Sequence, residues 1–344
     1  MLAFNKYFSC FLFLISLFFF MGCEQKKATK EIVNKPLVLI KSPDFQADSA
    51  YFFIEKQISF GARILNSAAH DKCGDFLIET FKKYKAEVVV QNFVAEGFDG
   101  SKLASRNIIA SYFPKASKRI LLAAHWDTRP FSDQDSDKNQ HKKPIDGAND
   151  GGSGVAILLE IARILSKDSS ANVGVDIILF DSEDYGMPEF AQASDFPGYD
   201  EKKQYYCLGS QYWAKNKHKP DYSAYYGILL DMVGAKNATF AKEGSSVKYA
   251  NEVVNKVWET AKMLGYSQYF IDYQADQITD DHVFVNREAK IPMIDVIEHK
   301  IGNENYFGHY WHTQQDNLQI IDKQTLKAVG QTVLQVLYQE RNAE

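Results

Sequence analysis

The chain of 344 residues is 45% hydrophobic and 24% charged, a composition that supports a large buried core and excludes general disorder. Its 44 acidic against 39 basic side chains leave a net charge of −5, which gives no electrostatic basis for gripping a nucleic-acid backbone. No Pro/Gly/Ser-rich linker interrupts the middle, so one α/β domain is expected.

At the N-terminus, Lys6 precedes an apolar run from Tyr7 to Met21 that ends at Gly22-Cys23. The run is too short to span a bilayer comfortably, and a charged start with a small residue before Cys reads as an export signal over residues 1–22. Cys23 is then the expected lipidation site of a bacterial lipoprotein, although Phe20 and Met21 depart from the usual Leu-small pattern. A plain signal peptide or an uncleaved anchor are the alternatives. Each of them exports the rest of the chain, so a periplasmic protein held by lipid to a bacterial membrane is expected. Residues 23–44 form the tether, polar over Glu24 to Lys35, and residues 45–344 form the single α/β domain. Of four cysteines, Cys10 leaves with the signal and Cys23 carries lipid, so Cys73 and Cys207 remain. Two cysteines make no disulfide framework.

Asp48 to Phe60 and Lys72 to Lys85 show apolar residues at helical spacing, with Asp48 or Ser49 as N-cap of the first. Three β-rich runs follow, Glu87 to Phe93, Asn107 to Tyr112 and Arg119 to Ala124. Gly151 to Leu165 begins glycine-rich and continues as an amphipathic helix. Val173 to Phe180, Tyr226 to Leu230 and Ile291 to Ile297 are unbroken apolar runs of strand length, the pattern of central strands covered on both faces. Helices over Val247 to Leu264 and Asp322 to Gln339 complete a three-layer α/β/α sandwich around a central, mostly parallel mixed sheet.

Polar residues sit at the ends of these strands. His125 and Asp127 follow one, Asp181 to Asp184 another, Asp231 ends a third and Glu298 a fourth. In open α/β sheets, sites gather at the carboxyl ends of strands. A lone HxD or one buried His is more often core, and an acidic pair is usually a solvated turn. Five such stretches in one chain are not explained that way: His125-Trp-Asp127, Asp150-Gly-Gly-Ser-Gly, Glu183-Asp184, Leu229-Leu-Asp231 and Trp311-His312-Thr313. Imidazole and carboxylate together suit a zinc ion with one position left open for chemistry. A Gly-rich turn into a helix also suits phosphate, but G-x-G-x-x-G and a Walker lysine are both missing.

This order of motifs resembles the zinc aminopeptidase-like hydrolase fold over residues 45 to 340. Within it, Asp181-Ser-Glu-Asp-Tyr-Gly, Cys207-Leu-Gly-Ser-Gln-Tyr-Trp213, Thr279-Asp-Asp281-His282 and Trp311-His312 are similar to the bacterial glutaminyl cyclases of the animal-like type. The resemblance implies Asp150, Asp184 and His312 as ligands of one zinc, Glu183 as general acid/base, and Asp231 and Asp281 as carboxylates that hold it. It implies closure of N-terminal glutamine of exported peptides or proteins to pyroglutamate, with release of ammonia. Asp184 stands where animal relatives carry Glu. Ala124 and Asn149 stand at the positions of a disulfide that animal relatives have beside the site.

Trp311, Trp213, His282 and Trp126 are candidates for the substrate pocket, with core packing as the alternative for Trp126 and Trp213. Phe131 and the segment from Tyr185 to Tyr206 are candidates to cover it. His125 and Asp127 are expected to hold a second metal or to support the first. The rival reading is a two-zinc aminopeptidase, because His125, Asp150, Asp184, Asp231 and His312 supply all five positions such a site uses. A binding protein that has lost catalysis is a third, disfavoured because no ligand is missing.

Overall fold

The computed structural model describes residues 39–168, 173–303 and 306–341. The signal, Cys23 and most of the tether lie outside the described residues. Among the described residues no helix is long and apolar enough to cross a membrane.

Two helices open the domain, α1 (Ala47–Ile58) and α2 (Ala68–Lys83). Ser67 caps α2 by accepting a hydrogen bond from the His70 N–H. The expected cap of α1 is displaced: Gln46 is the extended residue before the helix, and Asp48 sits in its first turn, paired with Lys323 at 2.7 Å. An acid there favours the positive end of the helix without capping it. The next two strands are longer than expected and form an antiparallel hairpin, β1 (Glu87–Glu96) with β2 (Lys102–Tyr112).

The chain then alternates: β3 (Arg119–His125), α3 (Gly152–Leu165), β4 (Gly174–Phe180), α4 (Leu208–Lys215) and β5 (Tyr226–Asp231). A short strand β6 (Phe240–Lys242), helix α5 (Gly244–Met263) and β7 (Phe270–Gln274) follow. The chain closes with α6 (Asp281–Phe284), β8 (Met293–Ile297) and α7 (Lys323–Arg341). The six-stranded sheet has the order β1-β2-β4-β3-β5-β8, with β4, β3, β5 and β8 mutually parallel. β6 and β7 form a separate parallel pair.

Alternation along the strands builds the two faces. Ile120, Leu122 and Ala124 of β3 join Ile228 and Leu230 of β5 in the larger core, with α1, α3, α5 and α7. Leu121, Ala123 and Leu229 point the other way, toward Trp213 of α4 and Val285. Gly154 is what lets α3 lie so close to the sheet, since a Cβ there would meet the Leu230 carbonyl at 2.1 Å.

The connection leaving β3 runs to β4 on one side, and that leaving β5 runs to β8 on the other. Loops that diverge in this way leave a crevice beyond the carboxyl ends of the strands.

Candidate active site

Strand ends deliver most acidic and imidazole groups of the crevice, and the starts of two helices deliver Asp150 and Asp280. β3 ends in His125, and Asp127 follows two residues on. β4 is followed by Asp181 to Asp184, β5 ends in Asp231, and Asp150 stands before the first turn of α3. Gly151 makes that approach possible: its φ is +72°, and a Cβ would meet His125 Cε1 at 2.9 Å. Four non-glycine residues around the crevice also adopt left-handed backbone, Ser182, Cys207, Met232 and His312. Such conformations cost free energy and concentrate where function fixes a side chain.

Asp150, Asp184 and His312 converge. His312 Nε2 lies 3.6 Å from Asp150 Oδ2 and 3.3 Å from Asp184 Oδ1. Those separations lie near about 3.3 Å, the spacing of N and O donors placed tetrahedrally around one zinc. Asp184 Oδ2 is buried without a hydrogen-bond partner, as a carboxylate awaiting a cation is. Behind His312, Asp133 approaches Nδ1 at 3.5 Å and is itself gripped by Arg129 at 2.8 and 2.6 Å. A carboxylate on the far ring nitrogen orients a metal-binding imidazole. Behind Asp150, the Asp316 carboxyl accepts the backbone N–H groups of Asn149 and Asp150 at 2.7 and 3.1 Å. The residues therefore fit a divalent metal.

His125 Nε2 is 2.9 Å from Asp150 Oδ1 and 3.2 Å from Asp231 Oδ1, and these three residues also converge. Burial alone depresses an imidazole, but the carboxylates of Asp231, Asp127 and Asp150 overcome it and raise His125 well above its ordinary range.

Glu183 is half-buried in the wall of a cavity of about 390 Å³ that Asp150, Asp184, Asp231, Asp280, Trp311 and His312 also line. The Cys207 thiol donates to its Oε1 at 3.1 Å. Burial pushes the Glu183 carboxyl well above its usual range; Asp184, Asp280 and Asp281 push the same way, and His125 opposes them. The apolar wall is Trp311, Phe307, Ile297, Ile278 and Met232, with Tyr206 from the end of the 185–206 segment. Trp311 stacks on His312 at 3.9 Å between ring centres.

Several expected positions are placed elsewhere. Asp281 does not line the cavity; its neighbour Asp280 does, because Asp280 is the extended cap residue of α6 while Asp281 turns into the helix. His282 is fully buried beside Glu243, at 3.1 Å. Trp213 lies against Phe180 on the opposite face of the sheet and donates to His218. Trp126 is buried with its ring stacked on His70. These three belong to the core because an aromatic or imidazole next to a motif residue can point into the layer beneath. Phe131 packs on Phe98 and Phe190, and Glu298 holds Tyr310 and Lys300. Cys73 and Cys207 are both buried free thiols, and Asn149 Oδ1 accepts from the Gly234 N–H at 2.8 Å. Sequence reasoning quotes the motifs that hold Asp280 and Cys207 without giving either a site role, and it missed Asp133, Arg129 and Asp316. Asp316 follows His312 by four residues, and that proximity was its one available signal.

A six-stranded mixed sheet with carboxylates and imidazoles gathered at its carboxyl edge defines a metallopeptidase-like protein. The model of Peptidase family M28 matches residues 107–337, and the chain belongs to that family. Among solved structures, the Tannerella forsythia glutaminyl cyclase is 49% identical with a TM-score of 0.83, covering 88% of this chain and 100% of its own. A Zn-dependent exopeptidase from Parabacteroides distasonis is 51% identical with a TM-score of 0.83, covering 87% and 99%. A glutaminyl-peptide cyclotransferase of Gloydius blomhoffii is 26% identical over 266 residues, or 68% of this chain and 65% of that relative. The match thus spans just under two thirds of that relative's length.

Proposed function

We propose that the chain is a zinc-dependent glutaminyl-peptide cyclotransferase that closes an N-terminal glutamine into pyroglutamate and releases ammonia. The observation that carries this reading is the placement of Glu183 beside the Asp150, Asp184 and His312 donors in one cavity walled by Trp311 and Phe307. One ion suffices for cyclisation, because the substrate carries its own nucleophile and electrophile and needs orientation above all. The glutaminyl cyclases among the similar structures support the same reading.

Zinc held by Asp150, Asp184 and His312 supplies Lewis-acid polarisation of the side-chain amide carbonyl. The protein's own groups do the rest. The acidic wall of Asp231, Asp280 and Glu183 receives the substrate's cationic α-amino end. That end attacks as the neutral amine, its ammonium proton having gone to solvent, and Glu183 takes a second proton from the nitrogen as it bonds to the amide carbon. It returns the proton to the amide nitrogen as the C–N bond breaks, so ammonia leaves. A raised carboxyl affinity for protons brings such a shuttle nearer to ambient pH. Trp311 and Phe307 keep water, the competing nucleophile, away from the carbonyl.

A Glu183→Gln variant tests the assignment: it is expected to retain its zinc and lose nearly all ammonia release from Gln-initiated peptides. Unchanged turnover would remove Glu183 from the mechanism. The two-zinc aminopeptidase remains the second reading, since His125, Asp150 and Asp231 do converge. Two bound zinc ions per chain, with release of amino acids from peptides, would establish it.

We infer in addition that the protein is exported and lipid-anchored in the periplasm, its substrates being exported peptides or proteins. The apolar run to Met21 followed by Gly22-Cys23 supports this. Incorporation of labelled fatty acid that disappears in Cys23→Ser is the expected result.

A further inference from the structure

Glu183 belongs to a second group of donor atoms that shares none with Asp150, Asp184 and His312. Cys207 Sγ lies 3.1 Å from Glu183 Oε1 and 4.0 Å from Asp280 Oδ1, and one donor from each residue falls within 4.8 Å of the others. A tetrahedral ion with one thiolate and carboxylate ligands spaces sulfur and oxygen by about 3.5 Å, a value these two separations bracket. Glu183 and Asp280 line the cavity, so an ion arriving from solvent reaches them, while the thiol is buried next to both. Asp280 is 6% exposed; Oδ1, the oxygen facing the thiol, accepts from the Asp281 N–H, and Oδ2 has no N–H or alcohol donor. The surroundings are strongly acidic: Glu183, Asp231 and Asp280 line one cavity, and Asp280 also groups with Asp295 and His282. Burying several carboxyls together is unfavourable unless protons or a cation compensate.

We propose that Glu183, Cys207 and Asp280 form a separate, inhibitory site for a thiophilic divalent cation of the zinc or cadmium kind. On binding, the Cys207 S–H proton leaves to solvent, a metal–sulfur bond forms, and one oxygen each of Glu183 and Asp280 completes the protein's share of the coordination. The sulfur selects zinc or cadmium over magnesium and calcium. An ion seated there takes the Glu183 oxygen out of proton transfer, so excess metal switches the enzyme off. That consequence rests on the reading of Glu183 as general acid/base; the binding itself does not.

The test is titration of the zinc-loaded protein with cadmium chloride, reading bound metal, thiolate-to-metal absorption in the near ultraviolet and ammonia release from a Gln-initiated peptide. A further equivalent of metal, a thiolate band and a loss of turnover of about tenfold or more should appear together; magnesium should produce none of them. Cys207→Ser and Asp280→Asn, two independent substitutions, should each weaken this binding by about a hundredfold, the upper end of what even indirect partners cost a metal site. Cys207→Ser should also abolish the band, and Cys73→Ser should keep it. No band in the unaltered protein, a band that survives Cys207→Ser, or equal inhibition by magnesium overturns the proposal. A protein that binds the ion with the band but never releases ammonia contradicts the cyclase reading and leaves this site standing.

Discussion

The carboxylate of Asp127 accepts hydrogen bonds from the backbone N–H groups of both Glu183 and Asp184, at 3.0 and 3.1 Å. One buried side chain thus fixes the backbone of Glu183, the proposed general acid/base, and of Asp184, the proposed metal ligand beside it. Burial opposes its ionisation, but His125 and these two N–H groups hold it below the usual carboxylate range. Asp127→Asn presents a donor to one of the two N–H groups and leaves it unpaired. A fall in kcat of about 10–100-fold is expected, the range seen when a group behind the ligands is changed. Steady-state rates together with zinc content measure it, and an unchanged kcat would contradict the role.

Trp311 and Trp213 were both candidates for the substrate pocket, and the structure separates them. Trp311→Ala should lower kcat/KM by about tenfold, the equivalent of roughly 1.4 kcal/mol of lost ring contact, with zinc content intact. Trp213→Ala should leave KM alone and destabilise the fold by about 3–5 kcal/mol, because the ring is fully buried across the sheet. Kinetics and denaturant unfolding of the two variants should therefore diverge. A raised KM in Trp213→Ala would return that residue to the pocket.

His218 gives the fold a pH dependence away from the active site. Burial lowers its pKa from 6.5 to about 4, and its Nδ1 accepts a hydrogen bond from Trp213 Nε1 at 3.1 Å. Between those two values the unfolded chain binds the proton and the folded one does not, so stability is present above pH 6.5 and is lost as pH falls toward 4. His218→Asn offers an oxygen acceptor that does not titrate. The melting temperature of this variant should decline less over that interval than the parent's, and parallel declines would exclude His218 as the source.

Much of this architecture can be read from the residues. The parallel strands announce themselves as unbroken apolar runs, and the polar residues at their ends converge because the topology places those ends on one edge. The pair Asp280-Asp281 is harder, since two adjacent acids carry no phase. Only the extended φ and ψ of Asp280, −147° and 178°, decide which one faces the cavity. The orienting acids Asp133 and Asp316 depend on contacts across about 180 and 167 positions of chain, from His312 and from Asn149. No periodic pattern marks them, and the four-residue step from His312 to Asp316 is the one local hint. The small β6–β7 sheet was likewise silent, because a three-residue strand carries too little periodicity to register.

The central claim is one-metal cyclisation, and the product of a Gln-initiated peptide tests it most directly. Incubated with the zinc-loaded protein, the peptide should lose the mass of one ammonia and keep every residue, and a chelator should stop the reaction. Free glutamine with a peptide one residue shorter, or a peptide left unchanged, would contradict the account.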